Sequence, residues 1–585
     1  LSIRRQRQMC IRDRYESEQP NSLYDPNGSF QSINRRYDIV YGDVMLNFNY
    51  NINRFDIAAT VGWTGRYENM NNIRVSTNGG LVTENWFDLN ASRYTPSSTL
   101  QRMELLKTGY MGTLSLGWDN YLFLELTGRQ ERSSTLKDQS FFYPSANLSF
   151  LFTQAFHMPS WWNYGKLRLS YGIVGNAPET YTANIVYEQG SDNGFTWNTI
   201  PSSWGNADIH PEKKYEYEIG LESKFLNNRL GIDISYYNNR VKDQILSTPQ
   251  PSTSGVKNVL MNVGEVANRG WDISISATPI LTRDFRWDLT ANYGVYKNKV
   301  VKLADGVPYL EILNSGGSGI KIQAVEGQPM GDIYAQVPQV NENGEYLVSD
   351  KGLYLNQTEL QKVGNINPAG VGGLFNSFSY KNVFLDFSID FRIGGDVINE
   401  MNQYATAVGL TPESLKYRDT EHGGLSYYYP GDNNSSGIPV QVDPSTGAGP
   451  NGEIIYHDGI ILPGVVASTG ERNTRIIPAG YYYNTTYNWG TEAEQLTYRH
   501  SVFDNSYVKL RELTIGYQFP EKMISKLGLG RLSVSVFGRN LFYFYKALKN
   551  YDAESSVGTS WANQATVGSS TTATRSFGVS LRASF

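Results

Sequence analysis

The chain of 585 residues contains a single cysteine, Cys10, and little charge. One cysteine excludes internal disulfide bonds and sites built from several thiolates. Charged residues make up only 18%, the formal net charge is −5, and no dense Lys/Arg run occurs in the body of the chain. A protein that tracks a polyanion needs such a basic surface. Nucleic acid is therefore not an expected partner.

Long apolar runs are also missing. No window of about 18 uninterrupted apolar residues is present, which excludes a transmembrane helix, whereas a membrane-crossing strand needs only about 9 to 11 alternating residues.

Catalytic motifs are missing as well: we find no nucleophile elbow, phosphate loop, dinucleotide fingerprint or zincin motif. The five histidines lack metal-ligand spacing, and Asp432 and Asp458 fit no calcium loop. We predict no enzyme, no cofactor and no metal.

What the sequence has in abundance is the composition of a β-protein. Aromatic residues make up 13%, with 41 Tyr, and there are 56 Gly. Apolar residues repeatedly fall on every second position, the period of a strand with one apolar and one polar face. We count roughly fifteen such strands of about 10 to 16 residues. The clearest apolar sets are Val44, Leu46, Phe48, Tyr50 and Ile52; Leu167, Leu169, Tyr171 and Ile173; and Val383, Leu385, Phe387, Ile389 and Phe391.

Alternation alone also fits a soluble sandwich, so the joins between strands decide the fold class. Every second join is short, and several of these carry Asn or Asp, as tight hairpins do. Most intervening joins are long: about 31 residues after Tyr67, 34 after Ala177, 65 after Val301, 107 after Gly395 and 27 after Lys546. Two long-side joins break the rule, at 137–140 and 247–258. Short periplasmic turns and long extracellular loops are typical of an outer-membrane barrel. The predicted fold is therefore all-β, a transmembrane antiparallel β-barrel.

Tryptophans near the short joins support a membrane boundary. Trp118, Trp161, Trp162 and Trp287 each lie within a few residues of a short join. Aromatic girdles of barrels occupy the membrane interfaces. We expect these side chains at the periplasmic interface.

Six blocks of sequence resemble a known family in the family's own order. They are "KLRLSYGIVGNAPET" at Lys166, "NVGEVANRGWDISISATPI" at Asn262, "EGQPMGDIYAQV" at Glu326, "GNINPAGVGGLFNSFSYKNVFLDFSIDFRIGGDVIN" at Gly364, "HDGIILPGV" at His457 and "SYVKLRELTIGYQFPEKMISKLGLGRLSVSVFGRNLF" at Ser506. Together they resemble the barrel of SusC/RagA-type TonB-dependent outer-membrane transporters of Bacteroidetes-like bacteria. The resemblance implies a plugged barrel of about 22 strands. About fifteen strands would then be the C-terminal part of that barrel.

The resemblance sets expectations for the two ends of the chain. The stretch "LSIRRQRQMCIRDR", residues 1–14, has no Met start and no apolar signal region, and we expect it to be a non-native leader. Residues 15–585 would then be the C-terminal barrel portion, without the plug, the TonB box and the first strands. The last stretch, "RSFGVSLRASF", alternates up to Phe585, which resembles the C-terminal signal read by the barrel assembly machinery.

Binding residues are expected in the long extracellular loops, where aromatic rings stand among Asn, Gly and Ser. Flat rings beside amides suit sugar rings or peptide backbone, although the same rings could instead pack the loops. The candidate ligand-binding residues are Trp197, Trp204, Tyr427, Tyr428, Tyr482 and Trp489.

Function and partners follow from the resemblance. It implies TonB-driven import of glycan oligosaccharides or oligopeptides across the outer membrane. The implied partners are a SusD-like surface lipoprotein at the extracellular mouth, the TonB complex acting through the N-terminal plug region, and outer-membrane lipid around the barrel. A passive porin or structural surface barrel is the alternative, since it would show the same strands and loops. A soluble secreted β-protein is a third possibility, and it would be extracted without detergent.

Overall fold

A computed structural model of the protein describes residues 2–17, 27–137, 140–192, 194–315, 319–431, 437–488, 497–555, 560–567 and 573–584, with the backbone alone for residues 2–17, 191, 192, 249, 252, 315 and 527. Sixteen strands form one large sheet, and their hydrogen-bonded order is their order along the chain. They are β1 (Ser2–Ser17), β2 (Ser29–Ile52), β3 (Phe55–Leu81), β4 (Ser92–Trp118), β5 (Leu122–Ser133), β6 (Ser140–Phe150), β7 (Trp162–Asn176), β8 (Glu212–Phe225), β9 (Leu230–Lys242), β10 (Glu265–Leu281), β11 (Phe285–Lys302), β12 (Pro368–Tyr380), β13 (Val383–Gly394), β14 (Tyr507–Gln518), β15 (Arg531–Lys546) and β16 (Ser576–Ser584).

The remaining elements are short. Four α-helices are present among the described residues: α1 (Phe152–Ala155), α2 (Glu400–Ala407), α3 (Ala479–Tyr487) and α4 (Glu521–Ile524). None of them has the length and apolar character needed to cross a membrane. Short strands in the loops span Glu188–Asp192, Phe195–Thr199, Ser203–Trp204, Ile245–Pro249, Asn258–Asn262, Tyr309–Ser315, Ile320–Val325, Asp332–Ala335, Leu347–Val348, Gln361–Asn365, Asp396–Ile398, Leu425–Tyr428, Val440–Gln441, Tyr456–Ile460, Val465–Val466, Ile477–Pro478 and Val502–Asp504.

The chain divides into two compact units. Residues 1–223, 235–267 and 304–307 form the first, and residues 224–234, 268–303 and 308–585 form the second. Each unit contains strands of the large sheet together with loops that carry their own buried clusters. In the first unit the loop cluster is built on Leu136, Phe141 and Ile209. In the second unit the largest one includes Ile320, Ile322, Ile333, Ile398 and Tyr498.

Most joins are sorted by length as predicted. The short joins are 53–54, 119–121, 151–161, 226–229, 282–284, 381–382 and 519–530, and the long ones include 177–211, 303–367, 395–506 and 547–575. Several tight turns use the left-handed backbone that Asn and Asp tolerate: φ is 55° at Asn53, 52° at Asp119 and 58° at Asn227.

Two predicted joins are wrong in length. The loop expected after Tyr67 is mostly strand, because β3 and β4 stay paired from Phe55–Trp118 as far as Leu81–Ser92. Their outer halves lack the alternation because strand beyond the membrane can be polar on both faces. Conversely, the join 243–264 is longer than expected, because the short strands 245–249 and 258–262 pair with each other inside the loop.

The segment set aside at the N-terminus takes part in the sheet. Strand β1 pairs antiparallel with β2 from Ser2–Asp43 to Ser17–Ser29. The non-native origin of residues 1–14 and the boundary at residue 15 stay predictions.

The sheet has the two unlike faces that period 2 predicts. On one face of β2 the apolar side chains Val44, Leu46, Phe48 and Tyr50 are exposed, although they are large. On the other face polar side chains bond to each other, as where Thr60 Oγ1 donates to Asn47 Oδ1 at 2.7 Å. A continuous exposed apolar surface of this size marks contact with a lipid or a partner.

Candidate functional site

An aromatic ladder runs along the short turns of the first unit. The ring centroids are 6.4 Å apart for Phe55 and Trp118, 5.5 Å for Trp118 and Tyr121, 6.1 Å for Tyr121 and Phe150, and 5.9 Å for Phe150 and Phe156. The second unit repeats the arrangement, with Trp287 stacked on Phe378 at 5.5 Å. The structure thus brings the predicted interfacial tryptophans together with Tyr and Phe at the short-turn end. Amphipathic rings in a row are typical of a membrane interface.

The first predicted binding residues lie in the loop 177–211. The strands Glu188–Asp192 and Phe195–Thr199 form a hairpin in which Trp197 faces Gly190, and the indole is 45% exposed. A Cβ on Gly190 would meet that indole at 2.7 Å, so a larger residue there would displace the ring from this position. Trp204 is half-buried and makes an edge contact with Tyr187 at 5.7 Å. Trp197 therefore offers a free face, and Trp204 is partly used in packing.

Tyr427 and Tyr428 lie on opposite faces of the strand Leu425–Tyr428 in the loop 395–506. Tyr427 is only 1% exposed, its ring stacks on Tyr456 at 5.5 Å, and its hydroxyl donates to Asp458 Oδ1 at 3.1 Å. Burial, and then the neighbouring Asp458 charge, raise the pKa of Tyr427 above its ordinary value. The structure gives Tyr427 a packing role, while Tyr428 is half-buried. A binding role for either stays a prediction.

Tyr482 belongs to a second tyrosine cluster on helix α3. Its ring lies 5.1 Å from Tyr483 and 6.1 Å from Tyr487, and Tyr487 stacks on His500 at 4.5 Å. Burial raises the pKa of Tyr482 above its ordinary value, and the pKa of Tyr483 to about 12. Trp489 and Phe585 lie outside the described residues.

The same loop, 395–506, supplies most of the lining of a cavity of about 360 Å³. The 41% exposed Tyr481 supplies aromatic surface, the buried Tyr429 forms part of the wall, and Lys351 and Arg475 supply positive charge. Ile476, Ile477 and Pro478 complete an apolar side. Aromatic faces combined with two cations suit an oligomeric ligand that carries a carboxylate. Sequence reasoning missed this site because Lys351 and Arg475 are far apart along the chain.

Sequence reasoning also missed an ion network on the polar face of the sheet, in which the partly exposed Asp390, Arg511 and Glu554 surround the buried Lys509. Glu554 accepts from Lys509 Nζ at 2.6 Å and from both terminal nitrogens of Arg511, at 2.8 and 2.6 Å. Arg511 Nε also donates to Asp390 Oδ2 at 2.6 Å. Lys509 is 1% exposed, so its charge depends on this partner. The network ties the loop 547–575 to strands β13 and β14.

A second anchor joins two of the sequence blocks quoted above. Asn365 donates to Asp332 Oδ1 at 2.7 Å, and Asn367 donates to the Met330 carbonyl at 2.6 Å. On the sheet side, Tyr296 of β11 donates to Asn367 Oδ1 at 3.0 Å. The blocks "GQPMGD" and "GNINP" thus meet where the loop 303–367 returns to the sheet.

A Ser–His contact and the distribution of metal-ligating side chains bear on whether the chain has a catalytic or metal site. Ser426 Oγ and His457 Nδ1 lie 2.8 Å apart, but Ser426 is buried within a loop strand, where the hydrogen bond serves packing. Over the part of the chain that the structure describes, no group of three or more His, Cys, Asp or Glu side chains is arranged to hold a metal ion.

A tall sheet with an exposed apolar face, a polar inner face, an aromatic ladder at its short turns and large folded loops defines a membrane β-barrel protein. Comparison with known proteins agrees. The family described as "TonB dependent receptor-like, beta-barrel" matches residues 7–317, and the chain belongs to this family. Its members are outer-membrane receptors and transporters, not enzymes, and the chain is located in the outer membrane.

Two TonB-dependent receptors are similar to the chain in sequence. TonB-dependent receptor P3 of Formosa agariphila is 24% identical over 494 residues, which is 77% of this chain and 42% of that protein. TonB-dependent receptor SusC of Bacteroides thetaiotaomicron is 30% identical over 247 residues, which is 39% of this chain and 24% of SusC. The chain thus matches less than half the length of these relatives. The SusC-like assignment is confirmed.

Solved structures share the fold. The RagAB peptide importer in its open-open state superposes with a TM-score of 0.69 at 19% identity, over 97% of this chain and 57% of that one. A further structure of the RagAB peptide transporter gives a TM-score of 0.66 over 92% of this chain.

Proposed function

We propose that this chain is the C-terminal barrel part of a TonB-dependent importer of oligosaccharides or oligopeptides. The observation that carries the proposal is the pair of large loops, 303–367 and 395–506, which form their own cores and are anchored on the polar face of the sheet. Large folded loops on the polar face narrow the interior of a barrel and can bind a ligand there. A passive pore does not require large folded loops over its inner face.

The proposed substrate class follows from the cavity lined by Tyr429, Tyr481, Lys351 and Arg475. We infer an oligomer with a carboxylate, such as an oligopeptide or an acidic oligosaccharide, since the exposed Tyr481 ring can stack on the chain of the ligand while Arg475 binds the charge. Trp197 and Trp204 are proposed as a separate set of ligand contacts on the loop 177–211 of the first unit. A SusD-like lipoprotein at the extracellular loops and the TonB complex acting through a plug region are the proposed partners.

Uptake measurements separate this proposal from the passive alternative. Cells with and without the intact gene would be given labelled acidic oligosaccharides and oligopeptides, in the presence and absence of a protonophore. We expect gene-dependent uptake of at least one class, and we expect the protonophore to abolish it. Gene-dependent uptake that persists after the proton gradient collapses would instead assign a passive pore.

A further inference from the structure

Three cations stand together on the apolar face of the sheet in the second unit. They are Arg269 of β10 and Lys297 and Lys299 of β11, and all three side chains are exposed. Their face is set by alternation: Arg269 shares it with Trp271, which is 47% exposed, and Lys297 shares it with Tyr293. The intervening Tyr296 and Asn298 point to the opposite face, where they bond to Asn367 and to the Met330 amide.

The register of the hairpin brings the cations next to each other. Thr278 Oγ1 donates to Asp288 Oδ1 at 2.7 Å, and a Cβ on Gly294 would lie 3.1 Å from Asp272 Oδ1. Both contacts fit one regular hairpin register across the turn 282–284, in which Thr278 lies opposite Asp288 and Asp272 lies opposite Gly294. The same pairing, continued by three residues, places Arg269 opposite Lys297. Like charges directly opposite on a sheet repel and destabilise the pair.

No carboxylate in the part of the chain that the structure describes relieves this repulsion. Among the described residues, Arg269, Lys297 and Lys299 form no ion pair or side-chain hydrogen bond. The next carboxylate along the same face of β10, Glu265, is bound by Arg240 at 3.0 Å. A repulsive, exposed cluster without a carboxylate partner indicates an external anion.

The position of the cluster relative to the membrane identifies the anion. Between the turn 282–284 and the cluster, the same face of β10 and β11 is apolar from Leu281 to Trp271 and from Phe285 to Val295. About 11 residues at roughly 3.3 Å each, tilted by about 45°, span roughly 25 Å, the height of the apolar band of an outer-membrane barrel. The cluster therefore lies at the headgroup level of the leaflet on the long-loop side.

We propose that Arg269, Lys297 and Lys299 bind the phosphate groups of a phosphorylated glycolipid headgroup in the outer leaflet. The cations contact the phosphates, and the acyl chains lie along the apolar strip below, beside Trp271 and Tyr293. Such a lipid would neutralise the repulsion between Arg269 and Lys297 and fix the height of the barrel in the membrane. The site is separate from the import route, since it lies on the opposite face of the sheet.

Native mass spectrometry of the detergent-extracted full chain tests the proposal. The probes are phosphorylated lipid A, its dephosphorylated counterpart and inorganic phosphate. The variant is Arg269→Gln/Lys297→Gln/Lys299→Gln, and Arg283→Gln in the exposed short turn 282–284 is the matched control. We expect the triple variant to bind phosphorylated lipid A roughly 10- to 100-fold more weakly, since each cation near an anionic surface contributes roughly fivefold, and the control to bind like the wild type.

The outcomes are distinct. Equal retention of phosphorylated and dephosphorylated lipid A by the wild type, or unchanged binding by the triple variant, overturns the proposal. Displacement of the lipid by inorganic phosphate at equal concentration assigns a free-phosphate site and overturns it too. If the triple variant does not show heat-modifiable migration, Arg269→Lys, which keeps the charge, and Arg269→Gln, which removes it, replace it. Binding retained by the first and weakened in the second supports the lipid site.

Discussion

At the residue scale, Arg475 is the side chain most directly placed to bind a charged ligand. It lines the cavity with Tyr481, and its Cδ lies against Gly352, where a Cβ would be 3.4 Å away. We predict that Arg475→Ala weakens binding of a carboxylate-bearing oligomer by roughly 10-fold or more, the loss of a charge-assisted hydrogen bond. Isothermal titration with neutral and acidic oligomers of equal length measures this. Arg472→Ala is the control, because Arg472 is exposed and does not line the cavity. Equal losses for neutral and acidic oligomers would contradict an electrostatic role.

His500 predicts a pH dependence at the same scale. Burial, with the charge of Arg499 second, lowers the pKa of His500 to about 4 from its ordinary 6.5. The unfolded loop therefore binds a proton between pH 6.5 and 4 that the folded loop does not, so stability falls as the pH falls through this window. Hydrogen exchange in α3 and at 498–504, corrected for intrinsic rates, should show faster opening at pH 4.5 than at pH 7. His500→Phe keeps the stacking on Tyr487 and should remove the added opening. An unchanged pH slope in this variant would exclude His500 as its origin.

At the scale of the element, the loop 547–575 depends on one carboxylate. Burial alone would raise the pKa of Glu554, but hydrogen bonds from Arg511 and Lys509 outweigh it and lower the pKa to about 2. We predict that Glu554→Gln loosens the loop by about 1–3 kcal/mol, because Lys509 stays buried without its counter-charge. Limited proteolysis at neutral pH should cut the loop faster in the variant than in the wild type.

The sign of the acid response follows from the same pKa. Since the ordinary glutamate pKa is 4.5, the contribution of Glu554 is complete above about pH 4.5 and is lost as the pH falls towards 2. Glu521→Gln in α4 is the control, since Glu521 is exposed at a short join. If Glu521→Gln speeds cleavage as much as Glu554→Gln does, the loop is not tethered by the network.

At the scale of the whole molecule, the two faces of the sheet should respond oppositely to a new charge. Leu46 is 59% exposed on the apolar face near the middle of the strip, and Asn47 faces the polar side. We predict that Leu46→Arg costs about 2–4 kcal/mol in the membrane, whereas Asn47→Arg costs less than about 1 kcal/mol. Heat-modifiable migration in a urea series measures the difference in folded fraction. Similar costs at both positions would argue that the apolar face does not contact lipid.

How far the sequence predicts the fold differs between its parts. Alternation over β2 and β13 and the parity of the joins follow from local chemistry, and the structure confirms them. The outer halves of β3 and β4 do not, since they are held by pairing with each other rather than by a buried face. For the candidate site, the sequence identifies Tyr428 and Tyr482 as loop aromatics, but it does not predict which rings face a cavity. Tyr427 and Tyr481 have similar sequence surroundings, yet one is 1% and the other 41% exposed.

The sequence by itself determined most strands, their two faces and the sorting of turns and loops, because period 2 and tight-turn chemistry depend only on neighbours along the chain. The family followed from the six ordered sequence blocks that resemble it, and not from periodicity. Only the tertiary structure decided which distant charges meet. It brought Glu554 to Arg511, Lys351 to Arg475 and Arg269 opposite Lys297, since strand register and loop folding set these distances and neither is encoded in local spacing.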